Sequence, residues 1–270
     1  VNKQSYYMRH PDNRSKHRPA ILNSLLRDME KGSYCVYYQP KAFVASRVYG
    51  AEALIRKIDD DGRVVMPYEF IALMEKEHVI SKIDFFVLEE VCRSMSDWKK
   101  RGLPRMKISV NMSRVTLAEI GFTEHVVETC ARYGISHRWI ELEITESTET
   151  IDTRRMKDIL GELKQEGFSV SLDDMGMDYS SLRMVPIEGV EVVKLDRSFI
   201  LMMEQGRNDR ILVEQIIKLC HAMGRTCVAE GVDSEEQLAL LHTMDCDCVQ
   251  GYLLSPPIPL AEFEERFLQA

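Results

Sequence analysis

The feature that most constrains this chain is an alternation. From residue 34 onward, short runs with period-two patterning take turns with longer stretches of helical periodicity. Strand candidates are 34–40, 48–55, 105–111, 138–144, 168–173, 190–195, 226–230 and 247–250. Helical stretches fall near 67–77, 80–99, 114–133, 152–166, 207–222, 234–243 and 259–269. Strands that alternate with helices belong to α/β folds with a parallel sheet, and eight of them are the number a closed (β/α)8 barrel needs. A doubly wound open sheet is the competing arrangement.

The first pair departs from the pattern. Only residues 41–47 separate strand 34–40 from strand 48–55, whereas a parallel crossover takes about a dozen residues or more. If these strands are neighbours they run antiparallel. Strands two to eight all have room for helical crossovers, so the first is the reversed one. The expectation is an α/β, TIM-like (β/α)8 barrel with an antiparallel first strand.

Ahead of the barrel, residues 1–20 are polar and basic and read as a linker. "AILNSLLRDMEKG" then reads as a short amphipathic helix closed by Gly32. Residues 1–30 are thus expected to be a linker and lead-in helix from an upstream domain, and 31–270 the barrel domain. The start at Val1 is what a piece of a longer protein would show. No apolar run approaches the roughly 20 residues of a membrane helix, so a cytoplasmic domain is expected, one that a missing N-terminal part could tether to a membrane. The net charge of −8 argues against binding a nucleic-acid polymer, although a local pocket can still hold phosphates. The seven cysteines form no CxxC pair and the seven histidines lack ligand spacing, so reduced thiols are expected and a zinc or histidine centre is not.

The strand faces show where the chemistry lies. Side chains at i, i+2 and i+4 share a face. In 105–111, Lys107, Ser109 and Asn111 oppose Ile108 and Val110. In 138–144, Glu141 and Glu143 oppose Ile140, Leu142 and Ile144, and in 168–173, Ser169, Ser171 and Asp173 oppose Val170 and Leu172. One face is fit to receive helices; the other is polar. Read in order, the strand ends offer Glu52, Asn111, Glu143, Asp173 with Asp174, Lys194, Glu230 and Gln250. In barrel enzymes the carboxyl ends of the strands build the active site. Singly, each residue has an ordinary reading: a helix cap for Asp173 or Asp174, a solvated strand end for Glu143, an exposed position for Lys194. In succession they form a pattern.

That pattern is a hard, all-oxygen donor set suited to Mg2+ or Mn2+. Adjacent aspartates can flank two ions, the arrangement that serves in-line phosphoryl displacement. Arg56 shares a strand face with Glu52 and can hold a phosphate in a bidentate fork. Metal-dependent phosphodiester hydrolysis leads on chemistry alone. A Schiff-base aldolase using Lys194 is the rival, but it needs a lysine of lowered pKa, and a ring of carboxylates does the opposite.

At these positions the sequence resembles a known family. "YYQP" (37–40), "AEALIR" (51–56), "SVNMS" (109–113), "ELEITES" (141–147), "DDMG" (173–176), "KLDRSF" (194–199), "AEGVD" (229–233) and "QGY" (250–252) are similar, in order, to motifs of the EAL-domain cyclic-di-GMP phosphodiesterases. The resemblance implies a barrel with a reversed first strand that opens cyclic di-GMP to linear pGpG with two Mg2+ or Mn2+ ions. It implies that Glu52, Asn111, Glu143 and Asp173 hold the first ion and Asp173 and Asp174 the second. Glu230 would act there as base or as a ligand through water, and Lys194 would contact the attacking water. Gln250 would support the Glu230 side, Gln39 and Arg56 would touch the dinucleotide, and Glu146 would anchor the loop after the paired aspartates. That loop departs from the family's DFGTGYSSL at Met175, Met177 and Asp178, and Asp233 stands where a glutamate is usual. A catalytically weak receptor that binds cyclic di-GMP is the alternative function. A homodimer and an upstream GGDEF or sensor domain are family habits that the resemblance carries over.

Overall fold

The computed structural model describes residues 17–45, 47–145, 153–175 and 186–269, and only the backbone of Thr145, Thr153, Asp174 and Met175. Glu146 and the loop residues 176–182 lie outside the described residues, as does the basic segment 1–16. Helix α1 (Arg18–Glu30) starts ahead of the expected run because Pro19 occupies its first turn, where a missing N–H breaks no helical bond.

Strands β1 (Tyr34–Phe43) and β2 (Val48–Ile58) follow, paired antiparallel with Gln39 opposite Glu52. The short β3 (Val64–Val65) folds back on the end of β2, and Asp59 caps the turn between them by accepting the Asp61 and Arg63 N–H groups at 3.1 and 2.8 Å. Then come β4 (Lys107–Met112), β5 (Ile140–Thr145), β6 (Ser169–Met175), β7 (Val192–Leu195), β8 (Thr226–Glu230) and β9 (Cys248–Gln250). Each is parallel to the one before it, β4 pairing with β2. β9 meets β1 antiparallel, Gln250 opposite Lys41, and closes the ring. The open sheet is thereby excluded. β10 (Ile258–Pro259) pairs with β1 at Tyr37 and Tyr38.

The helices are α2 (Ile71–Lys76), α3 (Ser81–Arg101), α4 (Arg114–Leu117), α5 (Phe122–Tyr133), α6 (Thr153–Gln165), α7 (Arg197–Met203), α8 (Arg207–Ala222), α9 (Glu235–Thr243) and α10 (Leu260–Phe263). Their apolar stripes face the outside of the barrel. In α3, Ile83, Val87, Leu88, Val91, Cys92, Met95 and Trp98 are buried at helical spacing, and the helix packs on β1, β2, β4 and α5. Helix α9 opens with a capping box, Ser234 Oγ accepting the Gln237 N–H and Gln237 reaching back. None of the described helices is long and apolar enough to cross a membrane. The seven cysteines are free, and six of them are buried.

Alternation sorts the barrel into two environments. Ile108, Val110, Ile140, Leu142, Ile144, Val170, Leu172, Val193 and Leu195 point outward under the helices and are fully buried. Each contributes about 1.5–3 kcal/mol by burial, so the wall is held together from outside. The lumen is therefore free to be polar. Lys41, Glu52, Ser109, Glu141, Glu143, Ser171, Lys194 and Gln250 fill it, where a packed barrel would hold branched aliphatics. A small apolar cluster of Val192, Val228 and Cys248, packed against Tyr49, sits below them.

A lysine-centred carboxylate site at the barrel mouth

Three backbone devices shape the mouth. The first is a bulge in β6. Leu172 pairs with Val193 but Met175 pairs with Leu195, so Asp173 and Asp174 together stand opposite Lys194. A regular strand would send two neighbours to opposite faces; a bulge breaks that alternation, and bulges gather beside functional sites. The second is Gly231, at φ 69°, where an added Cβ would come within 2.5 Å of the Arg197 side chain. The third is Gly251, whose Cβ would collide with the backbone of Val232. Gly251 thus lets the end of β9 close against the chain leaving β8, and Gly231 lets the end of β8 pass the Arg197 side chain.

Lys194 is the centre of the site. Its Nζ lies 2.6 Å from Glu230 Oε1, 2.7 Å from Glu143 Oε2, 3.0 Å from Asp173 Oδ1 and 3.4 Å from Glu52 Oε2. Four strands, β2, β5, β6 and β8, thus aim a carboxylate at one ammonium from β7. Glu52 is held on both oxygens: Asn111 Nδ2 donates to Oε1 at 2.8 Å, and Gln250 Nε2 donates to Oε2 at 2.7 Å. Gln250 also reaches Gln39 Oε1 at 2.9 Å, and Gln39 Nε2 donates to the Ser255 carbonyl at 3.2 Å. Above them a cavity of about 220 Å3 is lined by Gln39, Glu52, Glu230, Gln250 and Tyr252, with Asp196, Arg197 and Asp233 on its rim.

The electrostatics follow from burial and from Lys194. Burial would raise the Glu143 carboxyl, but Lys194 and Lys41 overcome it and hold it well below the usual range. Glu52 is raised, first by burial and then by the Glu143 charge. Glu230 is pushed up to about 8, mainly by burial, against the pull of Lys194. Burial alone would lower Lys194, yet the surrounding carboxylates, Asp173 and Glu143 foremost, raise it well above its ordinary value. A lysine so placed keeps its proton, and the aldolase reading loses its nucleophile.

The structure brings together Gln39, Glu52, Asn111, Glu143, Asp173, Lys194, Glu230 and Gln250, eight of the residues singled out above. One point differs from expectation. Glu52 is not a strand end: β2 runs on to Ile58 because its last residues pair with β3 and with the start of β1. Arg56, four residues past Glu52 on β2, donates from Nη1 to the Ile55 carbonyl at 2.7 Å and lies 5.5 Å from the Tyr37 ring centre. Asp174 is placed by its backbone only. One lumen residue escaped the sequence reading, Lys41, which binds Glu143 Oε1 at 2.5 Å and Glu141 Oε1 at 3.2 Å. The expected strand ended at Pro40. In fact Pro40 falls between the part of β1 paired with β10 and the part paired with β9, where a missing N–H is tolerated. The signal was present in the spacing, since Lys41 is two residues past Gln39.

Among the described residues, no three His, Cys, Asp or Glu side chains are drawn up in coordinating geometry; the carboxylates converge on the Lys194 ammonium instead. Five lumen carboxyls, Glu52, Glu141, Glu143, Asp173 and Glu230, face two ammoniums, Lys41 and Lys194. Gln250 Oε1 is buried without a partner. Surplus negative charge and all-oxygen donors fit hard divalent cations.

A mixed eight-stranded α/β barrel with an acidic, lysine-centred mouth defines the class. The chain belongs to the EAL domain family, whose profile it matches over residues 22–257. It is 33% identical over 236 residues to the cyclic di-GMP phosphodiesterase NbdA of Pseudomonas aeruginosa, covering 87% of this chain and 30% of that protein. It is 32% identical over 240 residues to the bifunctional diguanylate cyclase/cyclic di-GMP phosphodiesterase MucR of the same organism, covering 88% and 35%. The chain thus spans about a third of the length of these curated relatives. Among solved structures, the c-di-GMP complex of the PaMucR phosphodiesterase matches at a TM-score of 0.83 and 32% identity, over 90% of this chain and 99% of that one.

Proposed function

We propose that this domain hydrolyses cyclic di-GMP to linear pGpG with two divalent cations, Mg2+ or Mn2+. The observation that carries the reading is the convergence of Glu52, Glu143, Asp173 and Glu230 on one point beneath the mouth cavity, in a chain related to NbdA and MucR.

Glu52, Asn111, Glu143 and Asp173 would hold one cation, and Asp173 with Asp174 the second. When bound, the cations supply positive charge to the phosphodiester oxygens and lower the pKa of a water. The chain's own residues do the rest. Asn111 and Gln250 fix the orientation of Glu52 by donating to its two oxygens. Lys194, charged and buried, orients the attacking water by donating to it. Glu230 takes the proton that the water gives up as it attacks phosphorus, and the ester oxygen opposite departs in line. Gln39 and Arg56 flank the dinucleotide, and the rim residues around Tyr252 bound the cavity that admits it.

The test is turnover of cyclic di-GMP by the purified protein with Mg2+ and with Mn2+, following pGpG by chromatography, with Glu52→Ala as the control. Product that disappears in the control supports the phosphodiesterase. Tight binding of cyclic di-GMP without product would replace it with a receptor.

A further inference from the structure

Glu143 is gripped on both oxygens. Lys194 of β7 holds Oε2 at 2.7 Å, and Lys41 of β1 holds Oε1 at 2.5 Å. Lys41 reaches it across the lumen, since β2 and β4 stand between β1 and β5 on that side of the ring. The lysine is 2% exposed and Glu143 fully buried, so water does not compete for the contact. The two bonds of Lys41 are unequal: the shorter goes to Glu143 and the longer, 3.2 Å, to Glu141. Burying two ions is costly unless geometry and hydrogen bonding compensate. A buried ammonium that only neutralised Glu141 would have no need to approach Glu143 more closely.

Resting on the reading above, we propose that Lys41 is a positioning residue of the cation site: by occupying Oε1 it keeps Glu143 a ligand through Oε2 alone. A cation on Oε2 would displace Lys194 from it, whereas Lys41, bonded also to Glu141, would keep its hold on Oε1. The reversed strand therefore supplies the fixed partner that orients a ligand on the opposite wall. Groups that orient ligands in this way typically account for about 10–100-fold in metal affinity.

Lys41→Met alone leaves Glu141 and Glu143 buried with less compensation and can fail to fold. The comparison is therefore between Glu141→Gln and Lys41→Met/Glu141→Gln, which removes one charge of each sign. Mn2+ affinity is read from the paramagnetic resonance of free Mn2+, with melting curves confirming that each variant is folded and turnover measured on the same samples. The double variant is expected to bind Mn2+ about 10–100-fold more weakly than Glu141→Gln. Equal affinity in the two variants, with wild-type protein binding Mn2+ and turning over cyclic di-GMP, overturns the role of Lys41 and leaves the phosphodiesterase standing. Wild-type protein that binds no Mn2+ and turns over no cyclic di-GMP with Mg2+ either overturns both.

Discussion

Asn111 donates from Nδ2 to Glu52 Oε1 at 2.8 Å, joining β4 to β2 at the level of the mouth. The amide is there as a donor as much as an acceptor. Replacing it with aspartate keeps the shape and sets a carboxylate against a carboxylate. Asn111→Asp should destabilise the cation-free protein by about 1.5–3 kcal/mol, the range for a hydrogen bond to a charged group. Thermal melts in EDTA measure this, and an unchanged melting temperature would show that the bond carries no weight.

Lys194→Met removes the cation on which four carboxylates converge. Stripping one partner from a buried ionic cluster costs about 3–5 kcal/mol. The loss should be largest without metal and partly recovered with it, because a bound cation stabilises the folded state by mass action. The melting temperature should therefore rise more on adding Mn2+ in Lys194→Met than in the wild type. Equal rises would contradict the idea that the ammonium stands in for a cation.

Asp84 of α3 accepts the Ser113 N–H at 2.9 Å and the Thr116 hydroxyl at 2.5 Å, and so pins the turn that follows Asn111. Burial pushes its carboxyl from the ordinary 3.8 up to about 6, the hydrogen bonds from Thr116 and Ser113 opposing the rise. The folded state thus holds this proton more tightly than the unfolded one. The contribution is fully present below pH 4 and is lost as pH rises through 6, a change on the order of 3 kcal/mol. Asp84→Asn should melt progressively closer to, or above, the wild type as pH rises from 4 to 7. A difference that stays constant across that range would exclude this account.

Gly231→Ala meets two obstacles, a left-handed backbone at φ 69° and the Arg197 side chain. The backbone alone costs about 1–2 kcal/mol. Because Arg197 also pairs with Asp233 at 2.5 Å, the substitution should disturb the cavity rim, lowering both the melting temperature and affinity for cyclic di-GMP. Calorimetry of unfolding and of nucleotide binding checks the two halves separately, and wild-type values in both would refute it.

Much of this fold is legible from spacing. The reversal of β1 follows from the seven positions between two strands, and the split between lumen and wall follows from the period-two pattern of Ser109, Glu141, Glu143 and Ser171. What stayed hidden had physical reasons. Proline usually ends a strand, and only the partners on either side of Pro40 show why this one does not, which is how Lys41 was missed. Helix α7 carries "RSFILMM", an apolar run too short to show helical period; its Phe199, Ile200 and Met203 are buried. The stretch 114–133, read as one helix, is divided into α4 and α5. The bulge at Asp173 and Asp174 depends on what β7 places opposite them, which no single strand reveals.

The reversed strand also decides where α1 is attached. In a barrel of uniformly parallel strands, the chain enters the first strand at the floor, away from the chemistry. Here Tyr34, at the start of β1, lies opposite Lys57 near the end of β2, on the mouth side. Lys57 binds Asp28 of α1 at 2.7 Å, and the Ile58 N–H donates to the Ser33 carbonyl. Helix α1 is thus joined to the rim of the barrel, directly at the strand pair that carries Gln39, Glu52 and Arg56.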